Sequence, residues 1–367
     1  MKKNIRKIAL HILLTISVSL TAAAAAWAGE VKGAEITLEE AIGLALRNSK
    51  VIKQSDLDRE KSRKNKNSAE IGYESTQASK SVPGTGYFIY DSATEGSHNA
   101  YLMASTDYEV KQRLYDVSKD GVALKAIEKY CAVLESIKKL DLAKVNQKRD
   151  SINYDLASLR YQLGIIAMQS FLQAGVQLDS SKSEVDNAEK TLITAYKAFN
   201  ELVGLKQGER PVLKDEITFK GTEVEDIEAK ISEILSVDPT LTNAKANEDL
   251  YRSLIGAYDS DGIKKIDADK NKISTEQLTE GKRELVRNLY NTLMSLEKGY
   301  LVAKKSLDLA RESDRVTKLQ YSVGLASKVD VVASEASLAS AEQKLLNVKM
   351  QHVIMKNKFY KPWLAGN

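Results

Sequence analysis

The chain holds 367 residues, of which 28% are charged, 6% are aromatic and only 4 are proline. Its formal charge of +4 comes from the basic residues of the first seven positions, and the remainder balances 50 Lys and Arg against 50 Asp and Glu. That balance gives no support to the basic surface that a nucleic-acid-binding protein needs, so no nucleic-acid partner is expected. The single cysteine excludes an intramolecular disulfide framework. Few prolines and many charges favour long solvent-facing helices over a compact α/β enzyme.

Residues 1–28 have the layout of a cleavable secretory signal. A basic head from Lys2 to Lys7 precedes an apolar run from Ile8 to Ala26, and small residues at Ala26 and Ala28 frame a cleavage site before Gly29. No later stretch offers the 18 or more apolar residues that are typical of a transmembrane helix. The sequence therefore predicts an exported protein.

The first repeat is predicted to span residues 29–205 and to open with two helices. Residues 37–57 show an amphipathic pattern with a break at Asn48 and Ser49. Thr37 and Glu40 have the spacing of a capping box, in which each residue satisfies a backbone N–H of the other. A helix is therefore expected to begin at Thr37 and to end near Asn48, with a second helix after Ser49.

A β-hairpin is predicted near residues 84–108. The aromatic runs 84–90 and 100–108 flank the turn-like segment 95–99, which contains Gly96, Ser97 and Asn99. Partly alternating apolar residues around such a turn are typical of two paired strands.

An internal repeat follows. The phrase Leu159-x-Tyr161-x-x-Gly164 returns as Leu319-x-Tyr321-x-x-Gly324, and each copy sits between long helical patterns. Duplication explains such a recurrence most simply. Each glycine is predicted to form a turn between antiparallel helices, because a backbone with positive φ costs least without a Cβ. Both turns are expected at the same end of the body.

Residues 206–226 are predicted to be a linker, and residues 227–367 form the second repeat. There Pro239 marks the first turn of a helix. The interval from Asp238 to Gly324 is about 30 residues shorter than the interval from Asn48 to Gly164, so the second repeat lacks a clear hairpin and has a loop at residues 258–271. The predicted fold is mainly α: an elongated antiparallel bundle of long coiled-coil-like helices from two tandem repeats, with at most a small β-hairpin.

No pattern for catalysis, for a cofactor or for a metal emerges. The segment Asp267–Ser274 resembles a calcium loop but lacks its central glycine and its final glutamate, so a polar, solvated loop is the expectation. The three histidines lie far apart, and no catalytic spacing is present, so an enzyme is not expected. Cys131 lies on an apolar helical stripe and is predicted to be a packed core thiol.

The signal peptide, the opening phrase that ends at Asn48 and Ser49, and the two Tyr-x-Val/Leu-Gly turns together resemble the TolC-like outer-membrane efflux family. The resemblance covers essentially the whole mature chain. It implies transport without catalysis by a homotrimer in the outer membrane or cell envelope. It also implies a periplasmic helical tunnel, a shared transmembrane β-barrel, and partners in a periplasmic adaptor protein and an inner-membrane pump.

The resemblance also implies residue roles. Tyr161 and Gly164 match one adaptor-docking tip turn, and Tyr321 and Gly324 match the other. Asp330 occupies the position of an acidic residue near the constricted end of the tunnel, where a ring of carboxylates would favour cations. A carboxylate in the first turn of a helix is the alternative interpretation of Asp330.

One departure separates two functional hypotheses. The family supplies two hairpins per protomer, whereas this chain supplies one, and six strands would make too narrow a barrel for an open channel. The first hypothesis is a duct component for efflux or secretion that works with an adaptor and a pump. The alternative is a non-conducting helical envelope or surface protein that retains the rod without a complete barrel.

Overall fold

A computed structural model describes residues 35–84, 91–254 and 262–366. The predicted signal, residues 1–28, lies outside the described residues. Eight helices and two short strands make up most of the described chain. They are β1 (Glu35–Ile36), α1 (Leu38–Asn48), α2 (Lys50–Lys80), α3 (Ser92–Gln162), α4 (Met168–Val203), β2 (Val212–Leu213), α5 (Ile227–Ser236), α6 (Pro239–Ser253), α7 (Ile263–Ser322) and α8 (Lys328–Tyr360), followed by a 3₁₀ turn at Pro362–Leu364.

The helices form antiparallel pairs that lie side by side. Helix α3 packs against both α4 and α8, and α8 packs against α7, so the order across the layer is α4, α3, α8, α7. Helix α3 has 71 residues, which at 1.5 Å per residue gives a length of about 105 Å. The predicted mainly α, elongated bundle is thereby confirmed. No helix among the described residues combines the length and the apolar character needed to cross a membrane.

The predicted β-hairpin is wrong in its second strand. Residues 100–108 lie inside α3, and the first predicted strand falls almost entirely on residues 85–90, which lie outside the described residues. The aromatic residues follow a helical spacing instead: Tyr101 stacks on Tyr73 of α2 with ring centroids 6.0 Å apart, and Tyr108 faces Lys66. Their spacing of seven residues places them on one side of a helix.

Longer helices account for most of the extra residues in the first repeat. Helix α2 has 31 residues whereas its counterpart α6 has 15. Helix α3 has 71 residues whereas α7 has 60. The extra residues, which the sequence pattern assigned to strands, therefore lengthen helices α2 and α3.

The predicted loop at residues 258–271 is also wrong in its described part. Helix α7 begins at Ile263 and contains the calcium-loop-like segment Asp267–Ser274. Within that segment Asn271 and Ser274 donate side-chain hydrogen bonds to backbone carbonyls one turn earlier, as in ordinary helices. Residues two positions apart, as Asp267 and Asp269 are, project from different sides of a helix, so their carboxylates do not converge on one calcium ion.

The predicted helix starts are confirmed. Thr37 and Glu40 form the capping box of α1, Ser49 caps α2, and Pro239 occupies the first turn of α6 behind the capping residue Asp238. Asp238 is fully buried and accepts from the backbone N–H groups of residues 240 and 241. Capping side chains of this kind satisfy donors that have no partner within the helix.

A small parallel strand pair joins the start of the chain to the connector after α4. Ile36 of β1 pairs with Leu213 of β2. The hydroxyl of Tyr130, a fully buried residue of α3, accepts from the backbone N–H of Asp215 at 3.0 Å, and the Asp215 carboxylate accepts from the backbone N–H of Leu38 at 2.7 Å. Cys131 beside Tyr130 is buried, as predicted, and burial raises the pKa of its thiol to about 12.

Ion pairs close the end of the bundle opposite the glycine turns. Lys80 at the end of α2 lies 2.7 Å from Asp91, which caps α3. The Lys80 ammonium and the capped Thr94 N–H lower the pKa of Asp91 to about 2. Glu95, which is 6% exposed, binds Lys264 of α7 at 2.8 Å. The two helical hairpins are therefore joined close to their ends.

The C-terminal turn clasps the middle of α3. Lys361 binds one carboxylate oxygen of Asp120, and the indole N–H of Trp363 donates to the other at 3.1 Å. Leu364 and Phe359, which flank these residues in the sequence, are buried. Residues separated by more than 240 positions in the sequence thereby meet.

Candidate functional site

The first tip turn, residues 163–167, joins α3 to α4. Gly164 has a φ of +70°. The N–H of Ile165 donates to the carbonyl of Arg160 at 2.8 Å, and the N–H of Gly164 donates to the carbonyl of Tyr161 at 2.9 Å. This is the hydrogen-bond pattern by which glycine ends a helix in the left-handed region.

The second tip turn, residues 323–327, repeats that geometry between α7 and α8. Gly324 has a φ of +79°, and the N–H of Leu325 donates to the carbonyl of Gln320 at 2.8 Å. The predicted positive φ at both glycines is therefore confirmed. Tyr161 and Tyr321, the other two predicted residues, are 39% and 48% exposed.

Both tip turns lie at the same end of the body, as predicted. Glu335 of α8 binds Lys148 of α3 at 3.2 Å and Lys318 of α7 at 3.4 Å. Lys148 precedes Gly164, and Lys318 precedes Gly324, by a few helical turns at most. Further along the same two helices, Lys138 of α3 lies near Glu342 of α8, and Glu128 of α3 lies near Lys358 of α8. The residue numbers fall along α3 as they rise along α8, so the two helices are antiparallel. Because α3 ends at the first turn and α8 begins at the second, both turns lie at the same end.

The side chains around the two turns differ. At the first turn, the ring of Phe171 stacks on Tyr161 with centroids 5.3 Å apart, and it lies 5.4 Å from the ring of Tyr154. Ala167 at the start of α4 offers no side-chain cap. The first turn therefore presents aromatic carbon and backbone N–H groups.

The second turn carries a charged network instead. Asp314, which is 7% exposed, accepts from Lys318 at 2.9 Å and from the hydroxyl of Ser334 at 2.9 Å. The hydrogen bond to Asp314 raises the pKa of Lys318. These contacts join α7 to α8 close to Gly324.

Asp330 serves its own helix. Its carboxylate accepts from the backbone N–H of Ser327 at 2.8 Å and from the Ser327 hydroxyl at 2.7 Å, and the Asp330 N–H donates back to that hydroxyl. The hydroxyl and backbone N–H of Ser327 lower the pKa of Asp330. The capping interpretation therefore has direct geometric support, and a constriction at Asp330 stays a prediction.

Large apolar side chains are exposed around both turns. Burying apolar surface of this size against a partner is the main favourable term in protein association. At the first turn they are Leu159, Leu163, Ile165, Met168 and Leu172, and at the second turn Leu319, Val323 and Leu325.

A groove of about 1040 Å³ runs along α8 between α3 and α7. Small residues such as Ala303, Ala336 and Ser340 line much of it, and among its described lining residues the charged ones are Arg149 and Lys344. Sequence reasoning missed this groove, although the run of Ala and Ser on α8 was visible. The position of that run between two other helices requires the three-dimensional packing.

No group of three or more potential metal ligands occurs among the described residues. His352 of α8 is buried, and its Nε2 lies 3.2 Å from Glu297, while His98 lies near the start of α3 against Tyr73 of α2. The histidines of the described chain therefore belong to separate packing clusters.

The overall arrangement matches several solved structures. The outer membrane channel CmeC of Campylobacter jejuni aligns with a TM-score of 0.64 and 13% identity, over 90% of this chain and 86% of that chain. The outer membrane protein VceC of Vibrio cholerae aligns with a TM-score of 0.61 and 12% identity, over 88% and 94% of the two chains. The open MtrE outer membrane channel of Neisseria gonorrhoeae gives 0.51 and 15%, over 89% and 88%.

The chain has the TolC-like fold. This likeness confirms the predicted resemblance at the level of the fold, since the identities lie far below those that transfer a function. No family model and no curated protein matches the sequence. On the described surface of this TolC-like fold, the two tip turns expose large apolar side chains, and the groove is lined mostly by small side chains with two basic residues.

Proposed function

We propose that this chain is the protomer of an outer-membrane-type duct for efflux or secretion that works with a periplasmic adaptor and an inner-membrane pump. The observation that supports this most is the shared fold with outer membrane channels, which extends over nearly the full length of both chains. A passage for cargo needs a long hollow body rather than a reaction centre. We therefore propose transport without catalysis, by an exported protein of the cell envelope or outer membrane.

We infer a homotrimer. Helices α4 and α7 are the two edges of the helical layer, and each presents large exposed side chains that no other described element covers. Leu309 on α7 is 72% exposed, and Val176 on α4 is 71% exposed. Both edges of the layer therefore expose apolar side chains. Contact between the α7 edge of one copy and the α4 edge of the next would bury these side chains, and repetition of that contact closes a ring.

The adaptor is proposed to dock at the tip turns, which include Tyr161, Gly164, Tyr321 and Gly324. Their exposed apolar neighbours support this assignment. A ring of Asp330 carboxylates, one per protomer, is proposed as a constriction near the same end. The Ser327 cap fixes the position of each carboxylate, so a ring built from them would be well ordered.

The duct proposal is tested in the source cell. Deletion of the gene is expected to raise the accumulation of exported dyes or to abolish secretion of a cargo, and the full-length chain restores export. The double variant Leu163→Asp, Val323→Asp is expected to fold but not to restore export. The proposal would be contradicted if the deletion strain exported every tested cargo normally.

The trimer is tested by analytical ultracentrifugation of the mature protein. The double variant Val176→Lys, Leu309→Lys is expected to shift the distribution of oligomeric states toward monomers, because like charges would meet across the edge contact. A stable, well-folded wild-type monomer at micromolar concentration would contradict the trimer.

One observation favours the alternative hypothesis of a helical envelope protein. The Lys80–Asp91 ion pair brings the ends of α2 and α3 together, and only residues 81–91 join them. Two membrane-crossing strands need about 9 to 11 residues each. Planar-bilayer recordings on a verified trimer separate the hypotheses. Large reproducible conductance steps would reject the alternative, and the absence of any conductance would favour it.

A further inference from the structure

The groove along α8 has the dimensions of a ligand site. Its volume of about 1040 Å³ lies at the upper end of small-molecule sites. Gly299 and Ala303 of α7 face Ala336 and Ala341 of α8, so the floor is formed largely by short apolar side chains. Leu142 of α3 adds a larger apolar wall. An aliphatic or aromatic body of moderate size fits such a surface.

The charged residues that line the groove have one sign. Arg149 enters from α3 and Lys344 from α8, and no carboxylate is found in the part of the lining that the structure describes. Lys344 is exposed and has no ion pair among the described residues. Because Arg149 is paired with Asp150, Lys344 supplies the unpaired positive charge of the groove, although the mature chain as a whole is balanced.

Each neighbouring carboxylate binds a polar or basic side chain, and for Asp150 that partner is Arg149 of the groove itself. Asp150, which is 3% exposed, accepts from Arg149 Nε at 2.9 Å and from Gln177 at 3.2 Å. The remaining N–H groups of the Arg149 guanidinium bind no other described side chain. On α8, Glu335 binds Lys148 and Lys318, and Glu342 lies 3.8 Å from Lys138.

We propose that this groove binds anionic amphiphiles, which carry a carboxylate, sulfonate or phosphate on an apolar body, and that such molecules are a cargo class of the duct. The assignment as cargo rests on the proposed function, whereas the binding itself does not. Arginine and lysine attract such anions, and arginine can hold two oxygens at once. The short side chains of the floor accommodate the apolar body.

Binding is tested with two fluorescent probes that differ in charge: 8-anilinonaphthalene-1-sulfonate, which is anionic, and N-phenyl-1-naphthylamine, which is neutral. Because an exposed ion pair contributes weakly, Lys344→Gln is expected to weaken sulfonate binding about threefold and Lys344→Glu about tenfold. Lys344→Arg retains binding. Lys305→Gln, at an exposed α7 residue that does not line the groove, is the matched control and has no effect.

The neutral probe is expected to bind all these variants equally, and 0.5 M salt is expected to shrink the differences between them for the anionic probe. Circular dichroism verifies that each variant is folded. The proposal is overturned if Lys344→Glu binds the sulfonate like the wild type, or if it loses both probes to the same extent.

A cellular measurement separates this proposal from the proposed function. Gene deletion is expected to impair export of anionic and cationic dyes, whereas Lys344→Glu impairs export of the anionic dye only. Equal export of both dyes by Lys344→Glu would overturn the cargo class while leaving the duct intact. No export defect on deletion would reject the duct, and the probe measurements would then still decide whether the groove binds anions.

Discussion

The two tip turns share one backbone and differ in chemistry. Gly164 and Gly324 adopt the same left-handed conformation with the same hydrogen bonds. Around the first turn the contacts are aromatic, as in the Tyr161–Phe171 stack, whereas around the second they are ionic, as in the Asp314–Lys318 pair. Both repeats thus retain the glycine that the backbone of the turn requires, whereas the neighbouring side chains differ. A partner that reads both turns meets two distinct surfaces.

The aromatic turn should suffer most from loss of its shared ring. Phe171→Ala removes the ring that contacts both Tyr154 and Tyr161, and because the ring is only partly buried we expect a loss of about 2 kcal/mol in local stability. Hydrogen exchange of the amides in residues 155–175 measures it. Phe171→Leu is the control and should retain about half of the stability; equal exchange in all three proteins would contradict the aromatic role.

The glycines should respond alike, because the backbone is common to both turns. Gly164→Ala and Gly324→Ala each place a Cβ at positive φ, at a cost of about 1 kcal/mol. No neighbouring atom obstructs the added Cβ at either position, so the conformational strain is isolated. Urea denaturation of the two variants measures the losses. A difference above about 1 kcal/mol between them would break the equivalence of the turns.

The caps should respond in opposite directions. Ser327→Ala removes the cap of α8 and is expected to cost about 1 kcal/mol, whereas Ala167→Ser supplies the missing cap of α4 and is expected to stabilise it by a similar or smaller amount. Exchange rates of the first-turn amides in both helices measure these changes. A destabilising Ala167→Ser would show that α4 begins in a geometry that a serine cannot cap.

The smallest expected effect is a pH dependence confined to the second turn. Hydrogen bonds from Ser327 lower the pKa of Asp330 in the folded chain below the ordinary value of an aspartate. The contribution of this cap is therefore fully present above the unfolded pKa and is lost as the pH falls through the folded pKa. Amide exchange at the start of α8, corrected for intrinsic rates, should rise in acid relative to α4. Asp330→Asn should abolish that rise, and its persistence in this variant would assign the rise to another group.

The sequence predicted the features that depend on local backbone chemistry. The capping box at Thr37, the proline at residue 239 and the two glycine turns each follow from a few neighbouring residues. The strand predicted at residues 100–108 failed because alternation and helical spacing overlap in short aromatic runs. Tyr101 and Tyr108, seven residues apart, carried the signal that could have decided for a helix.

Other features depend on contacts that no local pattern contains. Asp314 and Ser334 meet only because α7 and α8 pack in one particular register. The groove needs a third helix, α3, which supplies Arg149 from a different repeat. Chemistry that arises between distant segments becomes visible once the relative positions of the helices are known.

The clasp of Lys361 and Trp363 on Asp120 has a consequence for the order of folding. The helices α3 and α4 can pair as soon as both have been made, since their contacts are close in sequence. The contact on the middle of α3 closes a loop of more than 240 residues, and the entropic cost of closing a loop rises with its length. Until Lys361 and Trp363 have been synthesised, Asp120 therefore lacks both of these partners.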